Sequence, residues 1–334
     1  MAEANPIKVL RLWRYAVKGL DPDELPLARL KYRGGLPFDR NWALHFTPDA
    51  LPSASDDPEA PVSQFDPHKP QWVHKQCFLA AFTAGQLLGT LQTRFDDKTM
   101  TLTVSQREDG KQLLQSQLDT PQGRSEVSLF FTHLEGNKGR KVHLVQSAKG
   151  EHHFGNTPRG FKTPRRPDGH KSGYIIHIVN AATVRQLSAK LGCTAAGKPL
   201  AASRFRPNIV IDGLPAWEEF RWVGHKIRIG QVVLEVVSRT VRCDATRVDP
   251  RGGSGKPDFD IPNLLRQHYP EYGPYFGVYA RVCMAGTVKP GDTVKLVNQK
   301  VDMALYWLRM LGFLIPILAV IWHFTVSPLV DLKR

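Results

Sequence analysis

The sequence predicts a mainly β protein of the α+β class, with a barrel-like β body and one transmembrane helix near its C-terminus. Three observations predict this fold: short apolar runs between turn residues, one segment with helical spacing, and one long segment without charge. The chain has 334 residues, of which 42% are hydrophobic, so it can bury a core and has room for about two domains.

The strands are predicted by short apolar runs bounded by turn-forming residues. In the N-terminal third these runs are residues 7–15, 41–46, 78–82, 87–95 and 100–104. Residues 94–100, RFDDKTM, are typical of a strand, a tight turn and a second strand. Further strands are expected at residues 208–211, 226–229, 232–237, 277–283 and 293–297.

Helical spacing is found between these two sets of strands. Val184, Leu187 and Leu191 recur at intervals of three and four residues, and Gly192 follows them as a candidate C-cap. We therefore expect a helix over residues 181–191.

The long uncharged segment covers residues 310–330. Its 21 residues are enough for a helix that crosses the ~30 Å core of a bilayer, which takes about 20 residues. A buried C-terminal helix is the alternative. Four Lys or Arg residues precede the segment between residues 289 and 309, and two follow it. This bias predicts a single-pass C-terminal membrane anchor with the folded part facing the cytoplasm.

The net charge and the cysteine spacing limit which kinds of partner and which kinds of structural site the protein can have. A net charge of +14 suits an anionic partner, a phosphate-bearing ligand or a membrane surface. Four cysteines without CxxC spacing argue against a disulfide scaffold or a structural zinc site. We expect no nucleic-acid partner, because no stacking aromatic ladder or known nucleic-acid module accompanies the charge.

Part of the positive charge is concentrated in residues 138–171, which hold nine Lys or Arg residues against Glu151 and Asp168. This segment is either a solvated loop or a rim that attracts an anionic ligand or lipid headgroups.

Three segments place charged or nucleophilic side chains next to predicted apolar strands. In SRFRPN, Arg204 and Arg206 precede an apolar strand and are expected to point the same way, either to bind phosphate or as solvated charges. Cys243 follows Arg242 in a positive setting that favours the thiolate, a nucleophile and soft-metal ligand, although a lone Cys is often a small buried apolar residue. Asp39 and Arg40 either fix a turn or bind a ligand.

These segments occur together, in this order, in one known family. The matching stretches are RYAVKG at residues 14–19, FDRNWAL at 38–44, SRFRPNIVIDG at 203–213, RTVRCDATRVDP at 239–250 and FGVYARVCMAGTVKPGD at 276–292. The sequence resembles the MOSC family, in the branch that also has an N-terminal β-barrel domain and includes the mitochondrial amidoxime-reducing component and its bacterial relatives. The resemblance implies an N-terminal MOSC β-barrel domain over residues 1–130 and a MOSC domain over 131–300. The uncharged segment adds the predicted transmembrane anchor, over residues 305–330, whereas relatives are often anchored at the N-terminus.

The resemblance also implies a molybdenum cofactor, Mo-molybdopterin. By motif position, Cys243 would be the protein ligand of the metal and the catalytic residue. The residues expected to hold the pterin and its phosphate are Lys18, Gly19, Arg40, Ser172, Arg206, Asn208, Arg242 and Tyr279.

The implied activity is the two-electron reduction of a small N-hydroxylated or N-oxide compound. The sequence has no iron–sulfur cysteine cluster, so the resemblance implies an electron-transfer partner, a flavin, haem or iron–sulfur reductase. Two alternatives stay open: a sulfur carrier with a persulfide on Cys243 for metal–sulfur cluster assembly, and a non-catalytic cofactor-binding module. Relatives often have SRCxxTTVDP, whereas here Asp244 follows the Cys and Arg247 replaces a Thr, which leaves the substrate preference open.

Overall fold

β-Strands are the main regular element in the described part of this protein, as seen in a computed structural model. The structure describes residues 6–32, 34–47, 75–146, 176–193, 196–251 and 256–297. The chain divides into two compact units, Met1–Lys295 and Leu296–Arg334, and the architecture below is that of the first.

Strands outnumber helices among the described residues. The strands are β1 (Lys8–Arg14), β2 (Asp23–Glu24), β3 (Ala28–Leu30), β4 (Trp42–Phe46), β5 (Leu91–Asp96), β6 (Thr101–Gln106), β7 (Gln112–Gln117), β8 (Val142–Gln146), β9 (Ile176–Asn180), β10 (Ile209–Asp212), β11 (Lys226–Ile229), β12 (Val232–Val241), β13 (Tyr275–Met284), β14 (Gly286–Val288) and β15 (Val294–Leu296). The α-helices are α1 (Ala81–Gly89), α2 (Pro121–His133), α3 (Ala181–Lys190) and α4 (Ile261–His268). Short 3₁₀ helices cover Lys75–Cys77, Ala202–Phe205, Glu218–Trp222 and Asp244–Arg247.

The largest sheet has eight strands in the order β15-β11-β12-β13-β9-β10-β1-β2. Its central strand β9 runs parallel to β10 and antiparallel to β13, and all five of its residues are buried. A strand buried at every position is covered on both faces, so the middle of this sheet lies inside the first hydrophobic core. Phe205 and Phe276 stack in that core with ring centroids 3.8 Å apart.

A second core is built on smaller sheets from the N-terminal half. Strands β5, β6 and β7 form one antiparallel sheet, and β4 pairs with β8 in another. Helix α2 begins at a Thr120 N-cap, whose side chain accepts a hydrogen bond from the Gly123 backbone N–H, and it buries Val127 and Phe131 in this core. Trp42 is fully buried there, 5.1 Å from the ring of Phe95.

The N-terminal segment connects the two cores. Val9 and Leu12 of β1 belong to the first core, whereas Ala16 and Val17 belong to the second. Strand β1 reaches the large sheet by pairing with β10. The residues just after β1 therefore lie where the two cores meet. The predicted domain limits stay predictions.

The predicted fold class is wrong in its transmembrane helix. No helix in the described part of the chain is long and apolar enough to cross a membrane, and residues 305–330 lie outside that part. The longest described helix, α2, has 13 residues, whereas a span needs about 20. An uncharged run is a property of composition, and composition alone does not provide a continuous helix of that length. The fold is therefore mostly β with some helices.

Candidate cofactor site

Three arginines from distant parts of the sequence converge on one piece of backbone; Arg40, Arg206 and Arg242 are called the arginine cluster below. Arg40 lies in the turn before β4, and its Nη2 donates to the carbonyl oxygen of Arg206 at 3.2 Å. Arg242 follows β12 directly, and its Nη2 donates to the carbonyl oxygen of Phe205 at 2.9 Å. Arg40 and Arg206 have φ values of 51° and 53°. These left-handed conformations at non-glycine residues need support from their surroundings.

Tyr15 provides part of that support. The guanidinium carbons of Arg40 and Arg206 lie 4.8 and 4.1 Å from the centroid of its ring, where the negative face of the ring attracts cations. The Tyr15 backbone N–H donates to Asp39 at 2.8 Å, and its carbonyl accepts from the Arg40 N–H at 2.6 Å. Burial raises the pKa of the Tyr15 hydroxyl, which keeps it neutral.

His177, in the buried strand β9, touches two members of the arginine cluster. Its Nδ1 lies 3.2 Å from the carbonyl oxygen of Arg206, and its Nε2 lies 3.5 Å from Nη1 of Arg242. Burial and then the neighbouring Arg242 lower the pKa of His177 well below its usual value, so the ring is neutral. The carbonyl fixes the proton on Nδ1 and leaves Nε2 as an acceptor toward Arg242. Gly277 makes room for this ring, because a Cβ there would lie 2.8 Å from Nε2.

The positive charge of the arginine cluster is not balanced by the described residues. Arg40 forms an ion pair with Asp39, but neither Arg206 nor Arg242 has an ion pair with a carboxylate in the described part of the chain. Burial lowers the pKa of Arg206 to about 10 and also lowers that of Arg242.

Three buried polar atoms here have no hydrogen-bond partner among the described residues: Arg206 Nη2, Arg242 Nε and the Tyr15 hydroxyl oxygen. Leaving a buried donor unsatisfied costs about 1–3 kcal/mol each. Unpaired buried donors and unbalanced guanidinium charge together suit an anionic ligand. The chemistry of this donor set therefore fits a phosphate-bearing group.

Cys243 lies beside the arginine cluster, directly after Arg242. It is half-buried and caps the N-terminus of the 3₁₀ helix Asp244–Arg247. Its carbonyl oxygen accepts hydrogen bonds from the backbone N–H and the hydroxyl of Thr246, at 3.0 and 2.8 Å, which fixes the turn. No group of three or more His, Cys, Asp or Glu side chains in the described residues is arranged to hold a metal ion. A metal bound at Cys243 would take its other ligands from a cofactor.

The remaining predicted residues have different surroundings. Asn208 is buried, with its side-chain oxygen accepting from the His177 N–H at 3.1 Å and its amide donating to the Trp13 carbonyl at 3.3 Å. Its side chain thus joins β9 to β1, which positions His177. Tyr279 packs against the His177 ring with centroids 5.3 Å apart.

Lys18 and Gly19 lie against residues 78–80. The Lys18 Nζ is 5.4 Å from the centroid of the Phe78 ring. Gly19 has a φ of 92°, and a Cβ there would lie 2.7 Å from the Cα of Ala80, so only glycine fits. Ser172 lies outside the described residues.

The expectation that Arg204 and Arg206 point the same way is wrong. Arg204 belongs to the 3₁₀ helix Ala202–Phe205 and Arg206 has a left-handed φ, so strand alternation does not apply. Arg204 instead donates to Asp258 at 2.6 Å and to the Thr246 carbonyl at 3.0 Å.

The sequence analysis did not single out two residues at this site. His177 stands within an uninterrupted apolar run, IIHIV, where a histidine gives no signal of its own. Tyr15 stood in the quoted RYAVKG segment, but nothing in its spacing indicated that two arginines would stack on it.

A cavity of about 480 Å³, called the α1 cavity below, lies beside Cys243. Its walls come from α1, from the loop after α2 and from the region of the 3₁₀ helix that Cys243 caps. The residues lining it that carry charge are Lys138, Arg140, Asp244 and Arg247. Asp244 and Arg247 belong to the segment after Cys243, so this segment forms part of the cavity wall.

Residues 149–295 match the sequence profile of the MOSC domain, so the chain contains this domain. The chain is 36% identical over 130 residues to mitochondrial amidoxime-reducing component 1 of Homo sapiens, which covers 36% of each chain. It is 32% identical over 127 residues to mitochondrial amidoxime reducing component 2 of Rattus norvegicus, again covering 36% of each. The chain thus spans little more than a third of the length of these curated relatives.

Solved structures are similar at a lower level. The YUAD protein of Bacillus subtilis is 10% identical with a TM-score of 0.34, and the match covers 86% of this chain and 93% of that one. YiiM of Geobacillus stearothermophilus is 21% identical with a TM-score of 0.28, and the match covers 38% of this chain and 55% of that one. Likeness at these TM-scores does not establish a shared arrangement.

Proposed function

We propose that this chain, which contains a MOSC domain, is a molybdenum-cofactor-dependent reductase of N-hydroxylated or N-oxide compounds, with Cys243 as the protein ligand of the metal. The names of its partial relatives support a reductase of amidoximes, and the MOSC match supports the cofactor. One observation carries the proposal: Arg206 and Arg242 are half-buried, have no carboxylate partner among the described residues, and present unpaired buried donor atoms beside a half-buried cysteine.

Each residue of the site has a defined task in this proposal. Arg206 and Arg242 hold the phosphate of the pterin, because their unpaired nitrogens gain acceptors and their charge gains a counterion. Tyr15 and His177 keep the two guanidinium groups in place by ring stacking and by hydrogen bonding. Cys243, directly after Arg242, provides the sulfur ligand of the metal. When bound, the cofactor supplies two-electron redox chemistry at molybdenum.

The overall reaction converts a hydroxylamine-type nitrogen into the amine and water, and consumes two electrons and two protons. We expect the electrons to come from a separate flavin, haem or iron–sulfur reductase. Cytoplasmic placement of the folded part stays a prediction.

The function is tested by comparing the purified wild-type protein with Cys243→Ala. We expect the wild type to contain molybdenum close to one atom per chain, and to reduce benzamidoxime when a chemical electron donor replaces the partner. Cys243→Ala should lose the activity and most of the metal, yet keep its circular dichroism spectrum. A wild-type protein that carries sulfane sulfur on Cys243 and no molybdenum would favour the sulfur carrier instead. Stoichiometric cofactor without any reduction would favour the non-catalytic binding module.

A further inference from the structure

The α1 cavity is separate from the arginine cluster but reaches the residue next to Cys243. Its lining includes Asp244 and Arg247, the first and last residues of the 3₁₀ helix that Cys243 caps. No member of the arginine cluster lines it. Its volume of about 480 Å³ lies within the 300–1,000 Å³ range of small-molecule sites. The cavity is therefore large enough for a small substrate, and its wall includes the residue that follows Cys243.

The charges in the cavity wall divide into a balanced pair and an unbalanced pair. Arg247 is neutralised, because it lies 3.2 Å from Asp244 and 2.6 Å from Asp260. Lys138 and Arg140 come from a different element and have no ion pair with a carboxylate in the part of the chain that the structure describes. The wall that they form carries two positive charges without counterions.

Arg140 is held in place although it lacks a counterion. Its guanidinium carbon lies 4.5 Å from the centroid of the Phe46 ring, and its Nε donates to the Asn137 carbonyl at 3.2 Å. Burial alone lowers the pKa of Arg140, without an opposing contribution from a carboxylate. A fixed and partly desolvated guanidinium binds an anion more strongly than a mobile surface cation does.

We propose that the α1 cavity binds the substrate, and that it selects N-oxygenated compounds carrying an anionic group, whose charge is met by Lys138 and Arg140. The claim that the bound compound is reduced rests on the proposed function, whereas the claim that the cavity binds an anionic compound does not. Asp244, the residue after Cys243, lies on the wall that carries the balanced pair, so that wall offers no net positive charge to an anion. The substrate would therefore present its anionic group to Lys138 and Arg140 and its N-oxygenated group toward Cys243.

The test compares two probes that differ only in charge, benzamidoxime and 4-carboxybenzamidoxime; 4-phosphonobenzamidoxime separates a preference for phosphate-like anions from one for carboxylates. The informative variant is Lys138→Asn, since Lys138 is exposed and has a φ of 56°, a conformation that Asn accepts readily. Arg140→Lys serves as a second variant that keeps the charge but loses the fork of donors. Lys111→Asn is the matched control, an exposed lysine that does not line the cavity.

Binding to the holoenzyme is measured by calorimetry, and turnover by KM and kcat. We expect wild type to bind the carboxylated probe roughly tenfold more tightly than the uncharged one. Lys138→Asn should abolish most of that difference, raise KM for the anionic probe alone and leave kcat within about twofold. Lys111→Asn should change neither quantity.

Two outcomes would overturn the inference. In the first, both probes bind wild type equally well, or Lys138→Asn weakens both equally. In the second, Lys138→Asn loses the pterin, which would show that the cavity holds the cofactor. If charge-selective binding is present but no probe is reduced, the proposed function fails while the binding site stands.

Discussion

Arg204 and Arg206 are two residues apart, the first buried and the second half-buried, and their guanidinium groups have opposite charge environments. Arg204, with 0% of its side chain exposed, lies within ion-pair distance of Asp258 and Asp249, at 2.5 and 3.5 Å. Arg206 has no ion pair in the described residues, and it shares the Tyr15 ring with another arginine, Arg40. Each has one unpaired nitrogen, but only Arg204 has its charge balanced.

The difference separates an arginine that stabilises the fold from one that is prepared for a ligand. A buried charge with its counterion in place contributes to folding, and removing one partner is strongly destabilising. A buried charge without a counterion lowers stability until an anion arrives, so its presence indicates binding. Charge balance therefore distinguishes the two roles where sequence spacing does not.

The largest expected effect is on stability, and it would separate the two arginines directly. Arg204→Met should lower the free energy of unfolding by roughly 3 to 4 kcal/mol, because it leaves carboxylates without their cation. Arg206→Met, measured on cofactor-free protein, should leave stability unchanged or raise it. Urea denaturation of both variants checks this. Equal losses in the two variants would remove the basis of the comparison.

Glu219 sharpens the comparison with a buried charge of the opposite sign. Its carboxylate is fully buried and accepts hydrogen bonds from Thr183 and Asn180, at 2.8 and 3.1 Å, rather than from a cation. Burial raises the pKa of Glu219 from 4.5 to about 7. The folded state then binds a proton more tightly than the unfolded state does. Its contribution to stability is greatest below about pH 4.5 and is lost as the pH rises toward 7.

We expect this loss to be roughly 2 to 3 kcal/mol, from the size of the pKa shift. It appears as the difference between wild type and Glu219→Gln, because Gln keeps the shape of the side chain but does not titrate. As the pH rises from 4.5 to 7.5, the unfolding free energy of wild type should fall by this amount relative to that of Glu219→Gln. Parallel pH profiles would contradict the raised pKa.

His177 tests whether the arginine cluster is positioned by its neutral neighbour. His177→Leu removes both the Nδ1 contact to the Arg206 carbonyl and the acceptor facing Arg242, so anion affinity should fall roughly tenfold. The probe is pyrophosphate, titrated by calorimetry into cofactor-free protein. His177→Gln, which retains a donor and an acceptor, should recover part of the affinity. If His177→Leu and wild type bind pyrophosphate equally well, His177 only fills space in the core and does not position the arginine cluster.

The smallest expected effect is at an exposed ion pair, Arg185 with Asp212, whose side chains are 61% and 37% exposed. Solvent screens such a pair, so Arg185→Gln should change the unfolding free energy by less than about 0.5 kcal/mol. It should leave pyrophosphate affinity unchanged. A large effect of Arg185→Gln on either quantity would mean that burial does not decide which arginines matter here.

The sequence predicted those helices and turns whose residues carry a local signal, such as helical spacing or a cluster of turn residues. The helix expected over residues 181–191 is confirmed as α3, and the turn at residues 94–100 joins β5 to β6. The strand expected at residues 78–82 is wrong: Phe78 forms only an isolated bridge and α1 begins at Ala81, because a short apolar run has no period of its own. Helix α2 was missed, since only Val127 and Phe131 of its larger side chains are buried and its apolar stripe is narrow.

The candidate site was predictable only where a short motif in the sequence marks a residue. Short motifs singled out Arg40, Arg206, Arg242 and Cys243, and the structure brings the three arginines together. Sequence did not show that Arg204 turns away to Asp258, because that depends on a 3₁₀ turn and on a carboxylate 54 residues further on. Tyr15 and His177 likewise gain their roles only through contacts between distant segments.

The content of pterin and molybdenum in Arg206→Gln, beside wild type and Arg185→Gln, tests the central claim most directly. The three proteins are purified in parallel. Metal is measured by mass spectrometry, and pterin is measured by fluorescence after oxidation. Wild type and Arg185→Gln should carry nearly stoichiometric amounts of both, and Arg206→Gln should lose most of both while remaining folded. Full retention of cofactor by a folded Arg206→Gln protein would contradict the claim that the unbalanced arginine cluster holds an anionic cofactor.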